Sequence, residues 1–259
     1  MGGRGATSSS GKLGMVSGAT LPPQADSNAK VDDTQVAPAF SATYDAFMAM
    51  SDDDKADFIK ANIKQGVPDH LAQNDFQRFV YNSGLNEKPD VVSDATLDTM
   101  TGTEIFRTVN SVYDSKNDIS YTAEQIAKQV TIGRATRVSD NGGSVYGRGI
   151  YFADGYSSST SYGNTRGNTK QTAVMRGKLN NNAKVINYST ARSGASQEIA
   201  SGSKLGKALS KCDRDSQASI YAMSKGYNVI SSGHGYFNVL NRNAITMSSD
   251  IKPKGSSWK

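Results

Sequence analysis

Cysteine occurs once in these 259 residues, histidine twice and tryptophan once, and no apolar run approaches the roughly 20 residues a membrane-spanning helix needs. A lone Cys212 excludes an internal disulfide, and with only His70 and His234 beside it no structural zinc site of Cys/His type can be assembled. The first residues lack the apolar centre of a secretory signal. These absences predict a soluble, cytoplasmic chain that uses no metal and meets no membrane. Acidic residues are scarce in one half only. Residues 1–40 carry three basic and three acidic residues, residues 41–129 eight against fifteen (net −7), and residues 130–259 eighteen against six (net +12), so the overall +5 is a cancellation. A basic half favours anions such as phosphate or a nucleotide. Nucleic acid is a weaker fit, because Lys and Arg are thinly spread and interleave with aromatics on no recognisable module.

What is present divides into four segments. Residues 1–40 open Gly-Gly-Arg-Gly, show no periodicity and hold no aromatic before Phe40, which predicts a disordered tail. Residues 41–100 read as an acidic helical region: Ser51 caps a first turn of Asp52, Asp53 and Asp54, and Phe58, Ile59 and Ile63 form its apolar stripe. The Asp run is a capping, solvated face rather than a metal site. Gly66 and Pro68 stop that helix, and Asp69 or Asn74 caps the next, with Phe76, Phe79 and Val80 facing inward. Residues 101–250 turn to short β-branched and aromatic runs at Ile105, Val145, Ile150, Val174, Val185, Tyr227 and Phe237, seven expected strands. Helical stretches near Thr122–Val130, opening with a capping box, and Ser216–Ser224 interrupt them. Residues 251–259 read as a C-terminal tail. The class is α+β with a largely antiparallel sheet.

The most informative segment is Gly147-Arg148-Gly149-Ile150-Tyr151-Phe152-Ala153-Asp154, followed by a Ser-rich stretch to Tyr162. Two glycines ahead of an apolar triplet allow a close backbone approach where a strand begins, as a flat or phosphorylated ligand requires. No Walker loop and no Gly-x-Gly-x-x-Gly opening a βαβ unit is present, which disfavours ordinary nucleotide-binding folds.

Gly149 to Asp154, with Ser159 and Tyr162 at this spacing, resembles the second motif of the ADP-ribosyltransferases, in wording closest to the poly(ADP-ribose) polymerase branch. The resemblance implies a split antiparallel sheet preceded by a small helical region. It also implies that Gly149 and Tyr151 line the nicotinamide pocket, Ser159 bonds the carboxamide and Tyr162 stacks on the ring. Ser159-Thr160-Ser161 is similar to the Ser-Thr-Ser element of the toxin-like branch. Upstream, Glu104 to Asn110 resembles the first motif, with Arg107 as in toxin-like members, suited to bidentate contact with pyrophosphate or ribose. Thr108 stands where polymerase-like members have a glycine. Tyr236 to Ile245 resembles the closing strands, and there Tyr236 replaces the glutamate that steadies the oxocarbenium-like transition state. Glu198 is the substitute acid considered, and Tyr236, Glu198 and Tyr151 are the candidate catalytic residues. In texture the chain also resembles ADP-ribosyltransferase-like proteins encoded among phage head genes. The implied function is mono-ADP-ribosyl transfer from NAD to a protein acceptor with release of nicotinamide, in the host cytoplasm or from a virion. The alternative is a catalytically silent relative serving as a virion, structural or binding protein.

Overall fold

The computed structural model describes residues 41–67, 74–85, 87–114, 119–133, 145–162, 172–256 and 258, so the tail expected over residues 1–40 lies outside them. Capping chemistry sets the first helices. Thr43, Ser51 and Asn74 each accept a backbone N–H of the first turn of α1 (Tyr44–Ala49), α2 (Asp52–Lys64) and α3 (Asp75–Ser83), and Gly84 ends α3 in the left-handed region at φ 73°. Of the two caps considered for α3, Asn74 holds the position, and Asp69 lies outside the described residues.

Next come β1 (Asp90–Val92), α4 (Asp94–Thr99), β2 (Glu104–Asn110), the hairpin β3 (Val112–Asp114) and β4 (Ile119–Tyr121), and α5 (Ala123–Thr131). The capping box expected at Thr122 is complete, with the Gln125 side chain returning to the Thr122 amide at 2.8 Å. The chain continues through β5 (Ile150–Ala153), α6 (Tyr156–Tyr162), β6 (Thr172–Leu179), β7 (Val185–Asn187), α7 (Tyr188–Ser201), α8 (Lys204–Leu209) and α9 (Arg214–Ser224). It closes with β8 (Val229–Ser231), β9 (Tyr236–Val239) and β10 (Ile245–Pro253).

Eight of these strands form one sheet in the order β1-β10-β6-β2-β5-β9-β8-β7, antiparallel except at its two edge pairs. The class is α+β. Alternation along the strands gives the sheet two faces. On one, Ile105, Val109, Met175, Phe152, Val229 and Val239 pack with α5 through Ile126, Ala127 and Val130. On the other, Ile186, Ile230 and Leu240 join α7, α8, α9 and the amino-terminal helices, including Phe47, Ile59 and Phe79, in a second apolar cluster. Burying one such side chain contributes about 1.5–3 kcal/mol. The acidic helices therefore share a core with the basic half.

A polar joint fixes that docking. The Asp75 amide donates to Asp213 Oδ2 at 2.9 Å, the Asp213 amide returns a bond to Asp75 Oδ2 at 2.6 Å, and Ser216 Oγ accepts from the Phe76 amide at 2.9 Å. Each helix amino end caps the other across 138 residues of sequence. Against the upward push of desolvation, hydrogen bonds from Ser216 and the Asp75 amide hold the Asp213 carboxyl below its ordinary value.

Four local expectations differ from the fold. Val145 and Tyr146 form no strand, only a bridge from Val145 to Gly147, because side chains rather than a ladder take up that loop's backbone groups. Tyr188 opens a helix instead of closing a strand. Helix α7 is rich in Ser and carries a weak apolar stripe, yet small residues let its neighbours approach closely: a side chain at Gly194 would strike the Tyr221 ring, and one at Gly206 of α8 the backbone of Glu198. Lastly, β1 lies inside the region expected to be wholly helical, and β10 runs past residue 250 to Pro253.

Candidate functional site

Strands β2 and β6 pair along the whole of Glu104 to Asn110, and β5 and β9 along all of Ile150 to Ala153, but β2 meets β5 through a single couple, Phe106 with Ala153. The sheet is thus nearly split in its middle, and the sequence-predicted residues gather along that seam. Arg107 Nη1 donates to the Tyr151 carbonyl at 2.9 Å, so a guanidinium bridges the strands where the ladder is missing. One residue on, Thr108 turns to the opposite face, and its Oγ1 lies 2.9 Å from the hydroxyl of Ser159 on α6. Ser159 is 4% exposed. Tyr236, half-buried on β9, is paired with Ala153 and shares the face of Thr108 and Tyr151. Thr108, Tyr151, Ser159 and Tyr236 thus share one face of the seam, and Arg107 reaches the Tyr151 carbonyl from the other.

Three of these expectations read differently in the fold. The Tyr151 hydroxyl is engaged within the protein: it accepts from the Tyr146 amide at 2.8 Å and donates to the Gly147 carbonyl at 2.6 Å. Burial pushes that hydroxyl well above its ordinary value, and both of its hydrogen bonds hold the Val145–Gly149 loop. The close approach expected at the glycines is present, but the approaching groups are the protein's own. A Cβ on Gly149 would overlap the Asn238 side chain and the Val239 carbonyl, and one on Gly147 would come within 2.6 Å of Ser219 Oγ. Asn238, 1% exposed, uses its amide to donate to the carbonyls of Tyr146 at 3.0 Å and Arg148 at 3.1 Å. Glu198 is the third. It sits on α7, a helix that meets this cluster only at its amino end, where Tyr188 packs edge-on to Tyr146 with centroids 5.7 Å apart. Ten residues separate Tyr188 from Glu198, about 15 Å of helix. There its carboxylate accepts from Ser203 Oγ at 2.6 Å and lies 3.5 Å from Lys225, bracing α7 against α8 and α9. The Tyr162 side chain lies outside the described residues.

The fold also adds an acid that motif reading passed over. Asp154 follows β5 directly, its amide donates to the Gly235 carbonyl at 2.8 Å, and a Cβ on Gly235 would lie 2.6 Å from its carboxylate. This puts an exposed carboxylate beside the residue preceding Tyr236. Its place at the end of the Gly-Ile-Tyr-Phe-Ala-Asp run was visible in the sequence; the turn that brings Gly235 to it was not. His234, in the same turn, is exposed.

Comparison of the chain with known protein families, with curated proteins and with solved structures finds no match. Among the described residues no helix is long and apolar enough to cross a membrane, and no three His, Cys, Asp or Glu side chains are grouped as a metal ion would need. Chemically, the seam offers a guanidinium, a part-buried pair of hydroxyls and a phenol, groups suited to holding phosphate, ribose or amide oxygens.

Proposed function

We propose that the chain is an NAD-dependent mono-ADP-ribosyltransferase with an ADP-ribosyltransferase-like split sheet. The observation that supports this reading is that Arg107 reaches the Tyr151 carbonyl, and its neighbour Thr108 the Ser159 hydroxyl, across a sheet that is almost parted between β2 and β5. The resembling motifs lie far apart in sequence, and their convergence is what a shared NAD site requires. In the reaction, the bond from nicotinamide to the ribose C1′ breaks, nicotinamide leaves with the bonding pair, and an acceptor side chain attaches to C1′ and gives up its proton. Arg107 would exchange its bond to Tyr151 for the cofactor's phosphate or ribose oxygens. Ser159, steadied by Thr108, would meet the carboxamide. No carboxylate stands at Tyr236, and preorganised charge of that kind is worth about 3 kcal/mol or more, or orders of magnitude in rate. Turnover is accordingly slow, with the acceptor's own acidity or Asp154 supplying the missing charge.

The test is incubation of the pure chain with labelled NAD and host lysate, reading both nicotinamide release and label on protein. Wild type releases nicotinamide, Arg107→Ala abolishes it, and Tyr236→Glu raises it. Activity that survives Arg107→Ala overturns the site. A second reading, a catalytically silent relative that serves as a virion, structural or binding protein, is favoured by Tyr236 itself and by the Ser159 hydroxyl's being already engaged with Thr108. Absence of turnover in both wild type and Tyr236→Glu selects it.

A further inference from the structure

Beside the seam, on the far side of the Val145–Gly149 loop, a polar cleft of about 460 Å³ opens between α7 and α9. That is the size of a pocket for a small ligand. Arg192 reaches it from α7 and Arg214 from the first turn of α9, and among the described residues neither forms an ion pair. The acid on the wall, Asp215, is matched by Arg148, whose Nη2 lies 3.2 Å from its Oδ2. Asp213, at the cap of α9, is turned toward Asp75 and Ser216. Among the described residues, the cleft therefore keeps an excess of positive charge on two helices. Ser196 and Gln217 add a hydroxyl and an amide, and half-buried Tyr188 contributes a ring.

Two guanidinium forks in one cleft suit the several oxygens of a phosphate group better than a single carboxylate, and an aromatic ring at the same cleft suits a flat base. We propose that this cleft binds a phosphate-bearing ligand of mononucleotide size, with Arg192 and Arg214 holding the phosphate and Tyr188 lying against the base. The site is separate from Arg107 and stands whether or not NAD is the substrate at the seam.

Calorimetric titration of the full chain with pyrophosphate, ADP and adenosine tests it. Pyrophosphate and ADP bind saturably, ADP the tighter, and adenosine binds at least tenfold more weakly than ADP. Each of Arg192→Gln and Arg214→Gln weakens pyrophosphate and ADP about tenfold or more, as loss of a charge-assisted hydrogen bond implies. Arg214→Lys, which keeps the charge and loses the fork, falls between. Both arginines are exposed, so the variants fold, and an unchanged circular-dichroism melt verifies this. No binding to wild type, binding undiminished in the double variant, or adenosine binding as tightly as ADP overturns the proposal. So does binding abolished by Arg107→Gln but not by the cleft variants, since the ligand then sits at the seam. Failure of NAD turnover with ADP binding intact removes the transferase reading and leaves the cleft standing.

Discussion

The two ends of the sheet are covered on their helical face by different physics. Over β7, β8 and β9 the cover is apolar, with Phe47, Phe79, Leu209, Ile220 and Met223 all fully buried. Over β6 and β10 it is ionic and aromatic: Arg176, 7% exposed, is hydrogen-bonded to Asp98 and Glu104, with Asp94 at 3.9 Å. Trp258 lies between Arg176 and Lys252, whose Nζ is 4.2 Å from its ring centroid, and also packs against Phe106. Apolar burial is not screened by salt, whereas part-exposed charge is. The candidate site runs along the seam where the two kinds of cover meet and belongs wholly to neither.

Removing a fully buried ring should break the apolar cover most severely. Phe79→Ala is expected to cost about 3–5 kcal/mol in urea unfolding, with little dependence on salt. Arg176→Met should cost less, about 1–3 kcal/mol, because the acids it leaves behind are part-exposed. That deficit should shrink as ionic strength rises toward roughly 1 M, where the screening length is about 3 Å. A deficit insensitive to salt would show that the ionic cover acts by packing instead. Asp213→Asn probes the joint that docks the apolar cover, at about 1–2 kcal/mol near neutrality. The Asp213 carboxyl is held below its ordinary value in the folded chain, so its stabilisation is present above the ordinary carboxylate range and lost as pH falls from that range through the depressed folded value. Melting profiles of wild type and variant should therefore converge on acidification. Trp258→Ala should have the smallest effect, about 1 kcal/mol, read as a shift of the melt with no change in the far-ultraviolet spectrum.

How much was legible depended on whether the signal was local. Caps at Ser51, Asn74 and Thr122 could be read because a cap is satisfied within three residues. The strand at Ile150 and the inward faces of Phe76, Phe79 and Val80 followed from apolar spacing alone. Helix α7 was not legible, since its sequence favours it weakly and the space that Gly194 leaves for Tyr221 is a tertiary fact. At the site, Arg107, Thr108, Ser159 and Tyr236 could be singled out by motif, but their partners could not. Nothing in the spacing says that the Tyr151 hydroxyl closes its own loop or that Glu198 belongs to Ser203 and Lys225.

By itself the sequence determined the class, the split of charge into an acidic helical segment and a basic half, and a short set of residues with chemistry worth testing. Composition, capping and periodicity are properties of neighbours along the chain, and neighbours suffice to fix them. Tertiary structure alone decided that the acidic helices share a core with α7, α8 and α9, that the sheet nearly parts between β2 and β5, and that Arg192 and Arg214 line one cleft. Each of those outcomes rests on contacts between residues tens to more than a hundred positions apart, and such contacts leave no periodic trace in the chain.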